Sequence, residues 1–176
     1  AAAATTIDVE TTSGDISITT DVDSNIDADS SIAGDIVIVA ALSEDVVANT
    51  TGAGTVTVTA KGNAITTVAK TATINVVESD TTATDISVTG TGTADSVTIN
   101  LGDDATVTNA AANAVETITV NATAAAVVTV DTTAATTYVG DANTTFAGNE
   151  AMFDGKTVTG AAEVQITTLD TSDLTD

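Results

Sequence analysis

Acidic and amide side chains are the most plentiful groups in this sequence that could perform chemistry. The chain carries 25 Asp and Glu residues against 3 Lys, and its formal net charge is −22 at pH 7. Carboxylate and amide oxygens are the ligands that Ca²⁺ prefers in proteins. The sequence contains no His and no Cys, so it can form neither a His-based catalytic triad nor a zinc site of the finger type.

The first predicted calcium site lies near the C-terminus, where all three aromatic residues and the single Met fall within sixteen residues. The oxygen ligands predicted there are Asp141, Asn143, Glu150 and Asp154, and the neighbouring glycines would let the backbone bend around an ion. The alternative interpretation is a thicker coil whose aromatic side chains plug one end of the core.

Pairs of acidic residues elsewhere are further candidates for calcium binding, and Asp103 with Asp104 is the second predicted position. The remaining clusters are Asp21 and Asp23 with Asp27 and Asp29, Glu44 with Asp45, and Glu78 with Asp80. No EF-hand loop and no repeated Gly-Gly-x-Gly-x-Asp nonapeptide is present. Ca²⁺ is the expected cofactor because divalent cations would compensate the self-repulsion of the chain. The alternative for each cluster is a solvated acidic loop.

The composition argues against several classes of function. Nucleic-acid binding is not expected, because no cationic surface exists to contact phosphates. An enzyme is not expected either. A pair of carboxylates could in principle cleave a glycosidic bond, but the chain has almost none of the aromatic or cationic residues that line sugar grooves. Membrane insertion is not expected, because the longest uncharged apolar run, Ile36–Leu42, is too short to cross a bilayer.

The elements that must position these groups follow a period of about ten residues. Apolar residues two apart recur along the chain, as β-strands require. These pairs are Ile7/Val9, Ile16/Ile18, Ile36/Ile38, Val56/Val58, Ile74/Val76, Ile86/Val88, Val97/Ile99, Ile118/Val120 and Val128/Val130. Two strands therefore take about twenty residues, which suggests one coil of a repeating structure.

The turns between these runs favour parallel stacking of coils. Gly-Asp precedes a strand at Gly14 and Gly34, where glycine can turn the corner and aspartate can bond the adjacent backbone. Hairpin dipeptides of the Asn-Gly and Asp-Gly type are nearly missing. We therefore predict an all-β parallel β-helix or β-solenoid, with an antiparallel β-sandwich as the alternative. The expected division is 1–137 for repetitive coils, 138–156 for an irregular aromatic and acidic loop or cap, and 157–176 for terminal strands.

Threonine alternates with apolar residues in some of the runs. Thr55, Thr57 and Thr59 form one such series, and Thr117 with Thr119 forms another. Ice binding would need this alternation in register on one flat face, whereas many other runs place Ser, Asp or Asn at such positions. The sequence therefore favours the simpler interpretation, in which Thr is the polar outward residue of a strand.

The richness in Thr, Ala, Val and Asp, together with runs such as Asp95–Asn100, Val115–Asn121, Thr145–Asn149, Phe153–Thr157 and Ile166–Asp170, resembles the surface-layer proteins of Gram-negative bacteria. This resemblance implies a calcium-dependent β-solenoid that assembles into a lattice after type I secretion. The function expected is a non-catalytic structural protein that forms an extracellular layer or filament at the bacterial cell surface. The expected partners are copies of itself and cell-surface polysaccharide or lipopolysaccharide. The alternative is a spacer segment of a bacterial adhesin.

Overall fold

The alternating runs form β-strands joined by short corners. The computed structural model describes residues 5–43, 45–62, 64–77, 83–91, 95–109, 115–130, 135 and 137–168. Its strands are β1 (Thr5–Thr11), β2 (Ile16–Thr19), β3 (Ser24–Ser30), β4 (Ile36–Ala40), β5 (Asp45–Thr50), β6 (Thr55–Ala60), β7 (Ala64–Val68), β8 (Thr71–Val76), β9 (Thr84–Thr89), β10 (Ser96–Leu101), β11 (Ala105–Asn109), β12 (Thr117–Ala122), β13 (Ala126–Val130), β14 (Thr137–Gly140), β15 (Thr144–Asn149), β16 (Thr157–Gly160) and β17 (Glu163–Thr168). A short 3-10 helix, Glu150–Met152, follows β15.

Successive strands alternate between two sheets. The odd-numbered strands form a nine-stranded sheet in chain order, and the even-numbered strands form an eight-stranded sheet in chain order. Neighbouring strands pair in parallel throughout both sheets, for example β1 with β3 and β4 with β6. The predicted β-solenoid with about twenty residues per coil is therefore confirmed, and the antiparallel sandwich is wrong.

The core lies between the two sheets and is built from the apolar pairs that define the period. Strand residues alternate between buried and more exposed positions, as the pattern of β4 shows. Eight of the nine predicted pairs are buried, while Ile7 and Val9 at the N-terminal end are partly buried. Stacked β-branched side chains make up most of this core, as suits the narrow space between two sheets. Among the described residues, no helix is long and apolar enough to cross a membrane.

Buried hydroxyl groups satisfy backbone carbonyls where the chain turns from one sheet to the other. The Ser30 hydroxyl donates to the Gly14 carbonyl at 3.3 Å, and the Thr50 hydroxyl donates to the Gly34 carbonyl at 2.7 Å. Each bond reaches from one coil to the preceding coil. Since a buried carbonyl without a partner is costly, these residues stabilise the corners from the inside.

The segment 138–156 contains parts of both sheets. Tyr138 lies in β14 and pairs with Ile118, while Phe146 lies in β15 and pairs with Val128. Both aromatic side chains are fully buried in the same core as the apolar pairs. This position agrees with the interpretation that aromatic residues fill the C-terminal end of the core.

Candidate calcium positions and the two outer faces

Asp141 and Asn143 lie together in the turn between β14 and β15, where their side chains bind the chain itself. Asp141 Oδ1 accepts hydrogen bonds from the Asn143 amide at 3.0 Å and from the Thr144 hydroxyl at 2.9 Å. Asp141 Oδ2 accepts from the Ala122 amide at 2.8 Å, and the Asn143 side-chain amide donates to the Ala122 carbonyl at 2.9 Å. Both residues therefore link two neighbouring coils.

The other predicted ligands lie in different turns. Glu150 begins the 3-10 helix, and its carbonyl accepts from the Asp154 amide at 3.0 Å, so these two residues are joined through the backbone. Asp103 Oδ1 accepts from the Asp104 amide at 2.8 Å. Asp104 Oδ1 accepts from the Val127 amide in the next coil at 2.7 Å. The Asp104 carboxylate thus has the same coil-linking role as Asp141.

The acidic side chains of the described residues do not gather into a large cluster. No three or more His, Cys, Asp or Glu side chains come together there in a group that could hold a metal ion. Glu44, Glu78 and Asp80 from the predicted clusters lie outside the described residues. The calcium ligands named from the sequence therefore stay a prediction.

Asp35 provides a test of the coil-linking carboxylates. Its Oδ1 accepts from the Thr55 amide at 2.8 Å and from the Thr55 hydroxyl at 2.9 Å. Both bonds lower the pKa of Asp35 from its ordinary value, and the bond from the Thr55 backbone amide contributes most. Because the folded pKa lies below the unfolded one, the stabilisation is complete above the unfolded pKa, which is about 4. It is lost as the pH falls through the folded pKa.

We expect Asp35→Asn to make the free energy of unfolding less dependent on pH below about pH 4, because the amide cannot titrate. Urea denaturation at a series of pH values measures this slope. Asp85→Asn removes the same formal charge from an exposed strand position of the other sheet and serves as the control. Equal slopes in the two variants would show that the Thr55 bonds do not cause the effect.

The outward side of the nine-stranded sheet carries a cluster of carboxylates at its N-terminal end. We call this cluster the acidic face; its members are Asp8, Glu10, Asp27, Asp29 and Asp45. Asp8 is paired with Asp27 across β1 and β3, and Glu10 is paired with Asp29. Neighbouring strands lie about 4.8 Å apart, so like charges directly opposite one another destabilise the pair.

Within the acidic face, Asp29 accepts a hydrogen bond and Asp27 is perturbed by its neighbours. The Asn49 side-chain amide donates to Asp29 Oδ1 at 2.8 Å. Desolvation, followed by the charges of Asp29 and Asp8, raises the pKa of Asp27. Glu10, Asp29 and Asn49 line a surface cleft of about 280 Å³, and Asp27 and Asp45 line a smaller one of about 170 Å³. Carboxylates in these clefts would gain from a bound cation.

The outward side of the eight-stranded sheet is different, because none of its strands contains a charged residue. Two columns run along six of its strands, from β6 to β16, and eleven of their twelve residues carry a hydroxyl group. The first column is Thr55, Thr71, Ser96, Thr117, Thr137 and Thr157, and the second is Thr57, Thr73, Thr98, Thr119, Val139 and Thr159. We call these two columns the threonine face.

An asparagine ladder borders the threonine face. Asn75, Asn100 and Asn121 occupy one register position in β8, β10 and β12. The Asn100 amide donates to Asn75 Oδ1 at 2.7 Å, and the Asn121 amide donates to Asn100 Oδ1 at 2.9 Å. The Asn75 amide in turn donates to the Thr59 hydroxyl at 3.1 Å. These bonds fix the spacing of successive coils along one edge of the face.

Reasoning from the sequence missed the separation of charge between the two sheets. The seven acidic residues within strands all belong to odd-numbered strands, namely Asp8, Glu10, Asp27, Asp29, Asp45, Asp85 and Glu163. Sorting the apolar runs into alternate classes before comparing their outward residues would reveal this pattern. The fold and its two outer faces carry the argument about function, since no protein-family model, curated protein sequence or solved structure matches the chain.

Proposed function

We propose that this chain is a non-catalytic structural protein that assembles into an extracellular bacterial surface layer or filament. The observation that carries the proposal is the acidic face, where carboxylates are stacked in register on one side of a solenoid. In this proposal Ca²⁺ ions lie between the acidic faces of two chains. Each chain supplies part of the oxygen ligands, since Ca²⁺ takes six to eight of them.

The charge of the chain opposes lateral contact, and a bridging cation would offset this repulsion. Two rods that each carry a formal charge of −22 repel one another, and their acidic faces repel most strongly. A divalent cation between Asp27 and Asp29 of one rod and the same residues of its neighbour would remove this repulsion. Desolvation first, and then the charges of Asp29 and Asp8, raise the pKa of Asp27. A cation bound here would relieve the like-charge part of this effect.

Electron microscopy of the purified protein with Ca²⁺ and with a chelator tests this proposal. We expect ordered sheets or filaments in Ca²⁺ and dispersed particles in chelator. The double variant Asp27→Asn/Asp29→Asn should stay dispersed in Ca²⁺. The control Asp85→Asn/Glu163→Gln removes two charges from the same sheet at positions outside the acidic face, on β9 and β17, whereas Asp27 and Asp29 lie on β3. This control should assemble.

Two results would overturn the proposal. Dispersed wild-type monomers in Ca²⁺ would favour the spacer segment of an adhesin, in which a single rod separates a binding domain from the cell. Assembly that proceeds equally well in chelator and in the Asp27→Asn/Asp29→Asn variant would rule out cation bridging by the acidic face.

A further inference from the structure

We infer that the threonine face binds ice. Ten of its twelve positions are threonine, in two adjacent columns across six consecutive strands of one sheet. The exposed side chains include Thr55, Thr71, Thr157 and Thr159, and the remaining ones are half-buried. This inference does not depend on the proposed assembly, because the acidic face lies on the other sheet.

The geometry of the columns gives a two-dimensional lattice of hydroxyl and methyl groups. Neighbouring strands are about 4.8 Å apart, and residues two apart on a parallel strand are about 6.6 Å apart. The face therefore extends about 24 Å along the solenoid over its six strands. Oxygen atoms in ice repeat at comparable distances in two perpendicular directions. Water held by such a lattice would be arranged as it is at an ice surface.

The side chains are suited to hold water in fixed positions. Threonine is β-branched, so few χ1 rotamers are available and the hydroxyl positions vary little from strand to strand. A threonine hydroxyl can both donate and accept a hydrogen bond, while its γ-methyl group limits the orientations of nearby water. The Thr55 hydroxyl, at the end of the first column, donates to Asp35, so its oxygen can only accept from water. Immobilising one bridging water costs up to about 2 kcal/mol of entropy. A water that bonds to threonines of both columns would be held by two hydroxyl groups for this cost.

The chemistry of the face does not suit other classes of ligand. The strands of this sheet contain no acidic group for a cation and no basic group for an anion. Sugar-binding surfaces commonly use exposed aromatic rings, whereas Tyr138, the one aromatic residue in these strands, is fully buried. Stable protein interfaces have cores enriched in aromatic and apolar residues, which the threonine columns lack. An ordered layer of water remains the best match.

The nine-stranded sheet provides an internal comparison. If outward threonine were only the common polar residue of a strand, both sheets would carry similar columns. The outward residues of β5 are instead Asp45, Val47 and Asn49, and those of β9 are Asp85, Ser87 and Thr89. Thr106 and Thr108 of β11 also face outward, but the register places Asp85 and Ser87 beside them, so these threonines do not continue as columns into β9. The concentration of threonine on the uncharged sheet is therefore a property of that face.

Thermal hysteresis of the full chain in a chelator, together with uptake of labelled protein into a growing ice crystal, tests the inference. The wild-type protein should lower the freezing point below the melting point and enter the ice. Thr98→Lys, in the middle of the second column, should lose both effects. The control Thr106→Lys places the same charge at a half-buried outward position of β11 in the other sheet and should retain them.

Circular dichroism and the melting temperature show whether both lysine variants fold like the wild type. A wild-type protein without hysteresis and without uptake into ice would overturn the inference. Equal loss in the two folded lysine variants would also overturn it, because the effect would not belong to this face. A third result would also overturn it: the wild-type protein has no ice activity but forms dimers, and Thr98→Lys dissociates them. The threonine face would then bind a second copy of the chain. Calcium-dependent assembly is measured separately, so either proposal can fail alone.

Discussion

Replacing Phe146 with alanine is expected to lower the free energy of unfolding by about 3–5 kcal/mol, the range for removing a large, fully buried aromatic side chain. Phe146 is 0% exposed and its ring lies 5.4 Å from that of Tyr138, with the two planes tilted by 54°. The neighbouring coils place Val128 on one side and Val164 on the other. Val128 and Tyr138 are fully buried and belong to opposite sheets, which limits how far they can move into the cavity left by the phenyl ring.

The matched control is Phe153→Ala, since Phe153 contacts the same cluster from its edge. Its ring lies 5.6 Å from that of Tyr138, but the side chain is only partly buried. We therefore expect a loss below about 2 kcal/mol. Urea denaturation followed by circular dichroism measures both changes. Equal losses in the two variants would contradict the difference in burial between Phe146, inside the core, and Phe153, at its edge.

The apolar pairs predict the fold well because one physical rule governs them. A pair of apolar residues two apart, repeated every ten residues in a chain with little helix-forming sequence, is most simply buried between two facing layers of strands. The scarcity of primed-turn dipeptides then favours parallel coils. The two-layer arrangement and the parallel order can both be predicted from local sequence, as the apolar pairs Ile16/Ile18 and Ile36/Ile38 illustrate. These pairs are stacked in register in β2 and β4.

The exact register between coils could not be predicted, because the corners differ in length. Val56 pairs with Ala72, sixteen residues later, whereas Ala72 is aligned through β8 and β10 with Val97, twenty-five residues later. The strands remain aligned because the corners absorb the difference: two residues separate β7 from β8, whereas seven separate β8 from β9. A fixed period of twenty would place the outward residues of these coils in the wrong columns.

The candidate site was harder to predict for the same reason. Whether an aspartate binds a cation or a backbone amide depends on which amide the next coil presents. Asp141 and Asp104 face amides of Ala122 and Val127, and neither contact is close in sequence. The threonine face is also a product of register, because it needs Thr73, Thr98 and their equivalents to align across coils of unequal length.

Gly34 is the corner position where the sequence signal and the structure agree most closely. The Gly-Asp dipeptides predict a corner, and Gly14, Gly34 and Gly54 occupy equivalent places in three successive coils. A Cβ atom on Gly34 would overlap the Gly14 carbonyl and the Ser30 hydroxyl, and one on Gly54 would overlap the Gly34 carbonyl. The φ angle of Gly34 is not in the left-handed region. Glycine is therefore required here because the coils approach closely, and not because of the backbone conformation.

Gly34→Ala is therefore expected to lower the free energy of unfolding by about 3 kcal/mol, at the upper end of the usual cost of overpacking. The backbone of one coil must move, which also weakens the bond between the Thr50 hydroxyl and the Gly34 carbonyl. Gly155→Ala is the control. Its φ is +64°, but no atom lies within 4 Å of the added Cβ, so only the left-handed conformation costs about 1 kcal/mol.

Urea denaturation of the two alanine variants separates crowding from backbone conformation. A Gly34→Ala loss well above that of Gly155→Ala would mean that the coils are in contact at this corner. A loss equal to that of Gly155→Ala would contradict the close stacking of Gly14 and Gly34. Gly54→Ala should behave like Gly34→Ala, because its added Cβ meets the same groups one coil further along, the Gly34 carbonyl and the Thr50 hydroxyl.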